Sequence, residues 1–305
     1  MSALERVETD ALRDFVPRHP YFVGVDSDGC AMDAMDRKHV AAFAPAFVSA
    51  YGLEPVADLA TETWAFVNLR STTRGLNRFL ALLRTLELLR GRPDVRAAGV
   101  DLPAPDALRA FASSGLPLSD AGLERFAARH PDPAAALALA WSRDVNARVG
   151  DVVGTLAPFD GVRDALAAAS AVADCMVVSA ANGASLREEW AAHDLTRYIS
   201  LVAGQEHGPK ADQLREATVG RYAPGHVLMV GDAPGDRDAA ALAGALFFPI
   251  RPGREVESWR VFADEALPRF VAGTYDGAFQ QDQLDLFADV LPADAPWDAS
   301  TDTKE

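Results

Sequence analysis

Apolar positions follow two rhythms along this chain, and the change between them divides it. Short, nearly continuous apolar runs stand at Tyr21–Val25 and later in "DCMVVSA", "YISLVAG", "HVLMVGD" and "LFFPI". Such runs have the character of strands covered on both faces. The last four alternate with segments whose apolar residues recur at helical spacing: "DGVRDALAAASAV", "GASLREEWAAHDL", "PKADQLREATVGRY" and "GDRDAAALAGA". Strand–helix alternation of this kind predicts an α/β fold, a parallel sheet with helices on both faces. From about Asp33 to Gly150 the rhythm is helical alone. It runs through "RKHVAAFAPAFVSAYGL", "RGLNRFLALLRTLELLRG", "APDALRAFASSG", "SDAGLERFAARHP" and "PAAALALAWSRDVNARVG", with Gly and Pro as punctuation. "ESWRVFADEALPRFVAG" and "DQLDLFADVL" predict two further helices. Residues 1–20 read as a partly helical lead-in, and "PADAPWDASTDTKE" as a mobile tail.

The strand at Tyr21–Val25 belongs with the later strands by character, yet the whole helical stretch separates it from them. A crossover between parallel strands needs only about a dozen residues. The helical stretch is therefore expected to be a module of its own, inserted directly after the first strand. The expected domains are a discontinuous α/β core from residues 1–32 and 155–292, an α-helical cap from 33–154, and a tail at 293–305. Ligands of open parallel sheets bind beyond the carboxyl ends of the strands. A module inserted at that point is expected to act as a lid.

Composition narrows the partners. A formal charge of −15 over 305 residues disfavours nucleic acid or an anionic membrane as a general partner. No apolar run approaches the ~18 residues of a membrane span, and "MSALERVETD" lacks the basic start and apolar stretch of a signal peptide. Two cysteines, Cys30 and Cys175, form no metal-type cluster, so a cytoplasmic location with reduced thiols is expected. Lysine is nearly absent: of 29 basic residues only Lys38, Lys210 and Lys304 are lysine. A lysine kept where arginine is so favoured marks a place for a compact ammonium charge.

The candidate chemistry gathers at strand ends. The first strand runs into Asp26-Ser27-Asp28-Gly29. Two carboxylates two residues apart in extended chain share one face. They repel unless a cation neutralises them or one stays protonated. A hard divalent cation such as Mg2+ takes oxygen ligands of this kind; an Asx-type turn ending the strand is the plainer account. No acid stands at the later spacing a calcium loop requires. "MVVSAANG" ends its strand at Ser179, Lys210 opens the helix after the strand at 199–203, and "HVLMVGDAPGDRDAA" places Asp232 and Asp236 after Gly231. Singly, these are a helix cap, a solvated charge, a turn and a first-turn acid. Together they put four carboxylates, a hydroxyl and a scarce lysine at the same edge of one sheet.

This order of motifs resembles the haloacid dehalogenase (HAD) superfamily of hydrolases: an apolar strand into Asp26-x-Asp28-Gly29, a strand ending in Ser179, Lys210, then Gly231-Asp232-x-x-x-Asp236. It covers about residues 20–32 and 155–250, and the insertion falls where members with a helical cap between the first and second motifs carry it. Cys30 departs from the Thr or Val usual after Asp-x-Asp-Gly. The resemblance implies a Rossmann-like core and a Mg2+-dependent phosphohydrolase acting on a small-molecule phosphate monoester. It makes Asp26 the nucleophile that forms an aspartyl-phosphate and Asp28 the acid and then base. Ser179 and Lys210 hold the phosphoryl group, and Asp26, Asp28 (by its carbonyl), Asp232 and Asp236 hold the metal. Dehalogenase and phosphonate-cleaving members lack the second acid, so Asp28 points to phosphate esters or anhydrides. A phosphomutase of the same superfamily and a non-catalytic binding protein stay open. A nucleotide-binding oxidoreductase is disfavoured, because no Gly-x-Gly-x-x-Gly opens a helix after a strand.

For the substrate's anionic part, "NLRSTTRGLNRF" would align Arg70, Arg74 and Arg78 on one face if helical. Pairing with Glu62 or Glu87 on a solvated face is the competing account. Trp64, Phe66 and Trp141 read as core of the helical module, and His39 and His207 as structural or solvated. The expected partner is a small phosphorylated molecule; oligomeric state is not legible.

Overall fold

The structure, a computed structural model, describes residues 11–153 and 156–297. The first half of the lead-in and residues 298–305 of the expected tail lie outside the described residues. The described chain divides into two compact units, residues 11–34 with 156–291 and residues 35–153 with 292–297. Among the described residues no helix is long and apolar enough to cross a membrane.

The first unit is built on a sheet of five parallel strands: β1 (Tyr21–Val25), β2 (Ala173–Val178), β3 (Leu201–Ala203), β4 (Val227–Gly231) and β5 (Leu246–Pro249), in the order β3-β2-β1-β4-β5. β1 lies at the centre, with Val25 opposite Val177 of β2 and Val230 of β4. This explains its continuous apolar sequence, since a central strand is covered on both faces. Phe22, Met176, Val178, Met229 and Phe247 pack on one face against Leu214, Ala217, Ala240 and Phe287. Val23, Val25, Val177 and Val230 alternate with them and are equally buried. β3 is shorter than "YISLVAG" predicts. A 3-10 turn at Thr196–Tyr198 consumes the start of that run, and an edge strand has ladder partners on one side only. The helices Val162–Ser170, Gly183–Ala192, Lys210–Thr218 and Pro234–Ala243 follow the predicted segments. "ESWRVFADEALPRFVAG" forms Glu255–Val261 and Leu267–Val271, joined by a π-helical turn at Phe262–Ala266.

The second unit is wholly helical among its described residues. Its principal helices are Ala44–Ala50, Ala57–Leu69, Arg78–Gly91, Asp106–Ala112, Asp120–Arg129 and Pro133–Val153. Asn77 and Ser119 cap two of them by accepting hydrogen bonds from Phe79 N and Gly122 N. Phe47, Trp64, Phe79, Phe111, Phe126 and Trp141 meet in one aromatic-rich core. Residues 293–297, read from sequence as the start of a mobile tail, are packed here. Ala295 is buried with Phe66, Val67 and Ala81, and the Arg92 guanidinium lies 4.3 Å from the Trp297 ring. Two apolar side chains in an otherwise polar stretch suffice to dock it.

Candidate active site

The carboxyl ends of β2, β1 and β4, three adjacent strands, carry Ser179, Asp26 and Asp232. Parallel register brings these ends level, so residues far apart in sequence share one edge. The Asp26 amide donates to the Val230 carbonyl at 2.9 Å, extending the β1–β4 ladder to the aspartate itself. The chain then turns sharply. The Ser27 carbonyl accepts from the amides of Cys30, Ala31 and Met32 at 3.3, 3.0 and 2.8 Å. Gly29 sits at φ +83, a backbone state that glycine takes without strain. Asp28 is half-buried in this turn and forms a bridge with Met32.

Lys210 opens the helix Lys210–Thr218, and its ammonium reaches into the site. Nζ stands 2.9 Å from Asp26 Oδ1 and 2.6 Å from Asp236 Oδ1. Asp236 spends its second oxygen on the start of its own helix: Oδ2 accepts from the amides of Asp232 and Ala233 at 3.1 and 3.0 Å. The fit there is so close that a Cβ at Gly231 would stand 2.4 Å from the Asp236 side chain. This is the physical reason for glycine before Asp232. Ser179 is buried, and its Oγ accepts from the Ala181 amide at 3.1 Å, which leaves its proton available to a ligand oxygen.

Asp26, Asp232 and Asp236 are all buried, and one oxygen from each lies within 4.8 Å of the others. Three carboxylates against the single ammonium of Lys210 leave an excess of negative charge. Burial, opposed by Lys210 and reinforced by Asp236 and Asp232, pushes the Asp26 carboxyl well above the usual carboxylate range. Lys210 shifts upward too: the charges of Asp236 and Asp26 outweigh its own burial. An all-oxygen donor set with surplus negative charge fits a hard divalent cation, for which Mg2+ is the ordinary choice.

The arginines of "NLRSTTRGLNRF" do not share a helical face. Helix Ala57–Leu69 ends before Arg70, which is exposed, and Arg78 starts the next helix. Arg74 is buried in the turn between and donates to the Leu69 carbonyl at 3.0 Å. Arg78 donates to Ser142 Oγ at 3.1 Å and Asn146 Oδ1 at 2.6 Å, above the Phe43 ring. Gly75 and the Asn77 cap break the helix that the spacing assumed; Arg74 holds the turn to the end of the preceding helix, and Arg78 ties its own helix to Pro133–Val153. His39 is buried and accepts from Trp64 Nε1 at 2.9 Å.

Sequence reasoning missed Gln213. Fully buried one turn after Lys210, it donates Nε2 to the carbonyls of Ser179, Gly204 and Gly208 at 2.9, 3.0 and 2.9 Å. It joins the loop of Ser179 to the loop leading into Lys210. A glutamine inside a helical segment carries no motif signal.

In its motif order and its sheet the chain resembles the HAD superfamily. No family model and no curated protein matches it. Solved structures do. One from Lactobacillus delbrueckii subsp. bulgaricus, provisionally described as a phosphoglycolate phosphatase, is 12% identical, with 85% of this chain and 100% of that one covered at a TM-score of 0.48. A predicted phosphoglycolate phosphatase from Haemophilus somnus is 15% identical, covering 75% and 84% at 0.46. A protein of Bacillus subtilis, provisionally described as a HAD-hydrolase and solved bound to magnesium, is 12% identical, covering 76% and 87% at 0.40. These are likenesses in chain path; the chemistry lies in the side chains described above.

Proposed function

We propose that this chain is a HAD-type phosphohydrolase that cleaves a small-molecule phosphate monoester through an aspartyl-phosphate on Asp26. The observation that carries this is the Lys210 ammonium held between Asp26 and Asp236, beside Asp232, at the carboxyl edge of the sheet. A carboxylate on a central strand end, steadied by a part-buried ammonium, can attack phosphorus.

Asp26 attacks the phosphorus, the phosphorus–oxygen bond to the leaving group breaks, and Asp28 gives its proton to the departing alkoxide. Asp28 then takes a proton from a water, whose oxygen attacks phosphorus and returns free phosphate and the Asp26 carboxylate. Ser179 donates its hydroxyl proton to a phosphoryl oxygen, and Lys210 offsets the charge that gathers there. Asp26, Asp232 and the Asp28 carbonyl would hold Mg2+, with Asp236 adding its charge to the set. Bound there, the cation supplies the positive charge that the three carboxylates and the phosphoryl oxygens require.

The test is phosphate release from a panel of phosphomonoesters, with Mg2+ and with EDTA, beside Asp26→Asn. Release that needs the metal and disappears in the variant is the expected result. A fully active Asp26→Asn protein would remove the nucleophile from the scheme.

A further inference from the structure

Two buried tryptophans grip the loop that carries Asp28. Trp190, on the helix Gly183–Ala192, is fully buried and donates its indole N–H to Ser27 Oγ at 2.9 Å. Trp259, on the helix Glu255–Val261, is fully buried and donates its indole N–H to the Cys30 carbonyl at 2.8 Å. One contact falls a residue before Asp28 and the other two residues after it. The loop is thus held by a side chain at one end and by its backbone at the other. The anchors follow different strands, β2 and β5, and neither belongs to the chain segment of the loop itself.

An indole nitrogen only donates, so both bonds have a fixed direction. Bulk alone does not account for them. Trp141, equally buried in the core of the second unit, has no hydrogen-bond partner for its Nε1 among the described residues. At the Asp28 loop both indoles are aimed at the turn that already folds on itself through the Ser27 carbonyl. Proton transfer to a leaving group depends steeply on where the acid stands, and a misplacement of about 1 Å is costly.

We infer that Trp190 and Trp259 are positioning residues that set the place of the Asp28 carboxyl relative to Asp26. The inference rests on the phosphohydrolase reading above for its consequence, and on the two indole bonds for its substance.

The test compares the full chain with Trp190→Phe and Trp259→Phe, which keep an aromatic ring and remove the N–H. Two esters are used: p-nitrophenyl phosphate, whose leaving group departs without a proton, and an alkyl phosphate, whose leaving group needs one. Each variant is expected to lose about tenfold in kcat/KM on the alkyl ester, the worth of one buried hydrogen bond, because kcat/KM reads only the transfer to Asp26 and not the later water step that both esters share. On p-nitrophenyl phosphate kcat/KM should be much less affected. Ser27→Ala removes the same bond as Trp190→Phe, so the double variant should be no worse than either single one. Amide exchange at Cys30, Ala31 and Met32 should quicken about tenfold in both tryptophan variants, whether or not any ester is turned over. Equal losses of kcat/KM on the two esters, or unchanged exchange at those amides, would overturn the inference. A wild-type protein inert toward every ester, with quickened exchange in the variants, would fault the phosphohydrolase reading and leave the grip on the loop standing.

Discussion

The side-chain amide of Gln213 meets the backbone carbonyl of Ser179 at 2.9 Å, joining residues 34 apart in the chain. The same nitrogen serves Gly204 and Gly208. Replacing it by leucine removes two N–H donors that the three carbonyls share in a dry setting, at about 1–3 kcal/mol for each carbonyl that finds no other partner. Gln213→Leu is expected to lower Tm by several degrees and to reduce phosphate release. Gln213→Glu should be worse, since a carboxylate would face three carbonyl oxygens. Thermal melts beside ester assays check both; a Gln213→Leu protein with wild-type Tm and turnover would show that the loops need no such tie.

The charge of the Asp26 site makes two further outcomes testable. Lys210→Met removes its ammonium and leaves three buried carboxylates together. Turnover is expected to fall by roughly 100-fold or more, the scale of losing one electrostatic stabiliser of a transition state. Asp232→Asn is expected to weaken Mg2+ binding about tenfold or more by titration calorimetry, with the fold retained by circular dichroism. Unaltered Mg2+ affinity would place the cation elsewhere.

Stability should fall in mild acid through His39. Burial first, then the charges of Arg74, Lys38 and Arg78, hold its imidazole down to about 3. Its Nδ1 accepts from Trp64, so protonation there would lose that bond. Unfolded, the same side chain titrates near 6.5. Between about 6.5 and 3 the unfolded chain therefore binds more protons than the folded one, and stability drops as pH falls through that window. From pH 7 to 5 this one residue accounts for about 2 kcal/mol. Melts of wild type and His39→Phe at both pH values check it: the variant should lose less between them.

The C-terminal segment is expected to stabilise the second unit. Thr72 donates its amide to the Pro292 carbonyl at 3.2 Å, and the Trp297 ring meets Phe66 edge-on and lies under Arg92. Trp297→Ala should cost about 1–2 kcal/mol, from a partly desolvated cation–π contact and lost ring packing. Denaturant melts provide the measure. A variant as stable as wild type would make the docked segment a passive passenger.

Much of the molecule was legible before any coordinates. β1, β4 and β5 fall inside the predicted runs and β2 begins one residue before its own, because strands buried on both faces are nearly continuously apolar. That Asp26, Ser179, Lys210, Asp232 and Asp236 would lie at one edge of the sheet was legible because each follows a strand run or opens the next helix. The helical face supposed for Arg70, Arg74 and Arg78 does not form, since helical spacing says nothing of where a helix stops, and Asn77 with Gly75 stops it there.

The sequence by itself determined the alternation of strands and helices, the interruption after β1 and the inventory of acids around one scarce lysine. These are local properties, carried by periodicity and residue type. Only the tertiary structure decided which neighbours those residues have: Lys210 between Asp26 and Asp236, Gln213 across three carbonyls, Trp190 and Trp259 on the turn of Asp28. A hydrogen bond to a distant backbone carbonyl asks for only one donor at the right point in space, and every residue offers the same carbonyl. It therefore leaves no pattern along the chain, and it exists once strand order and register have set the distances.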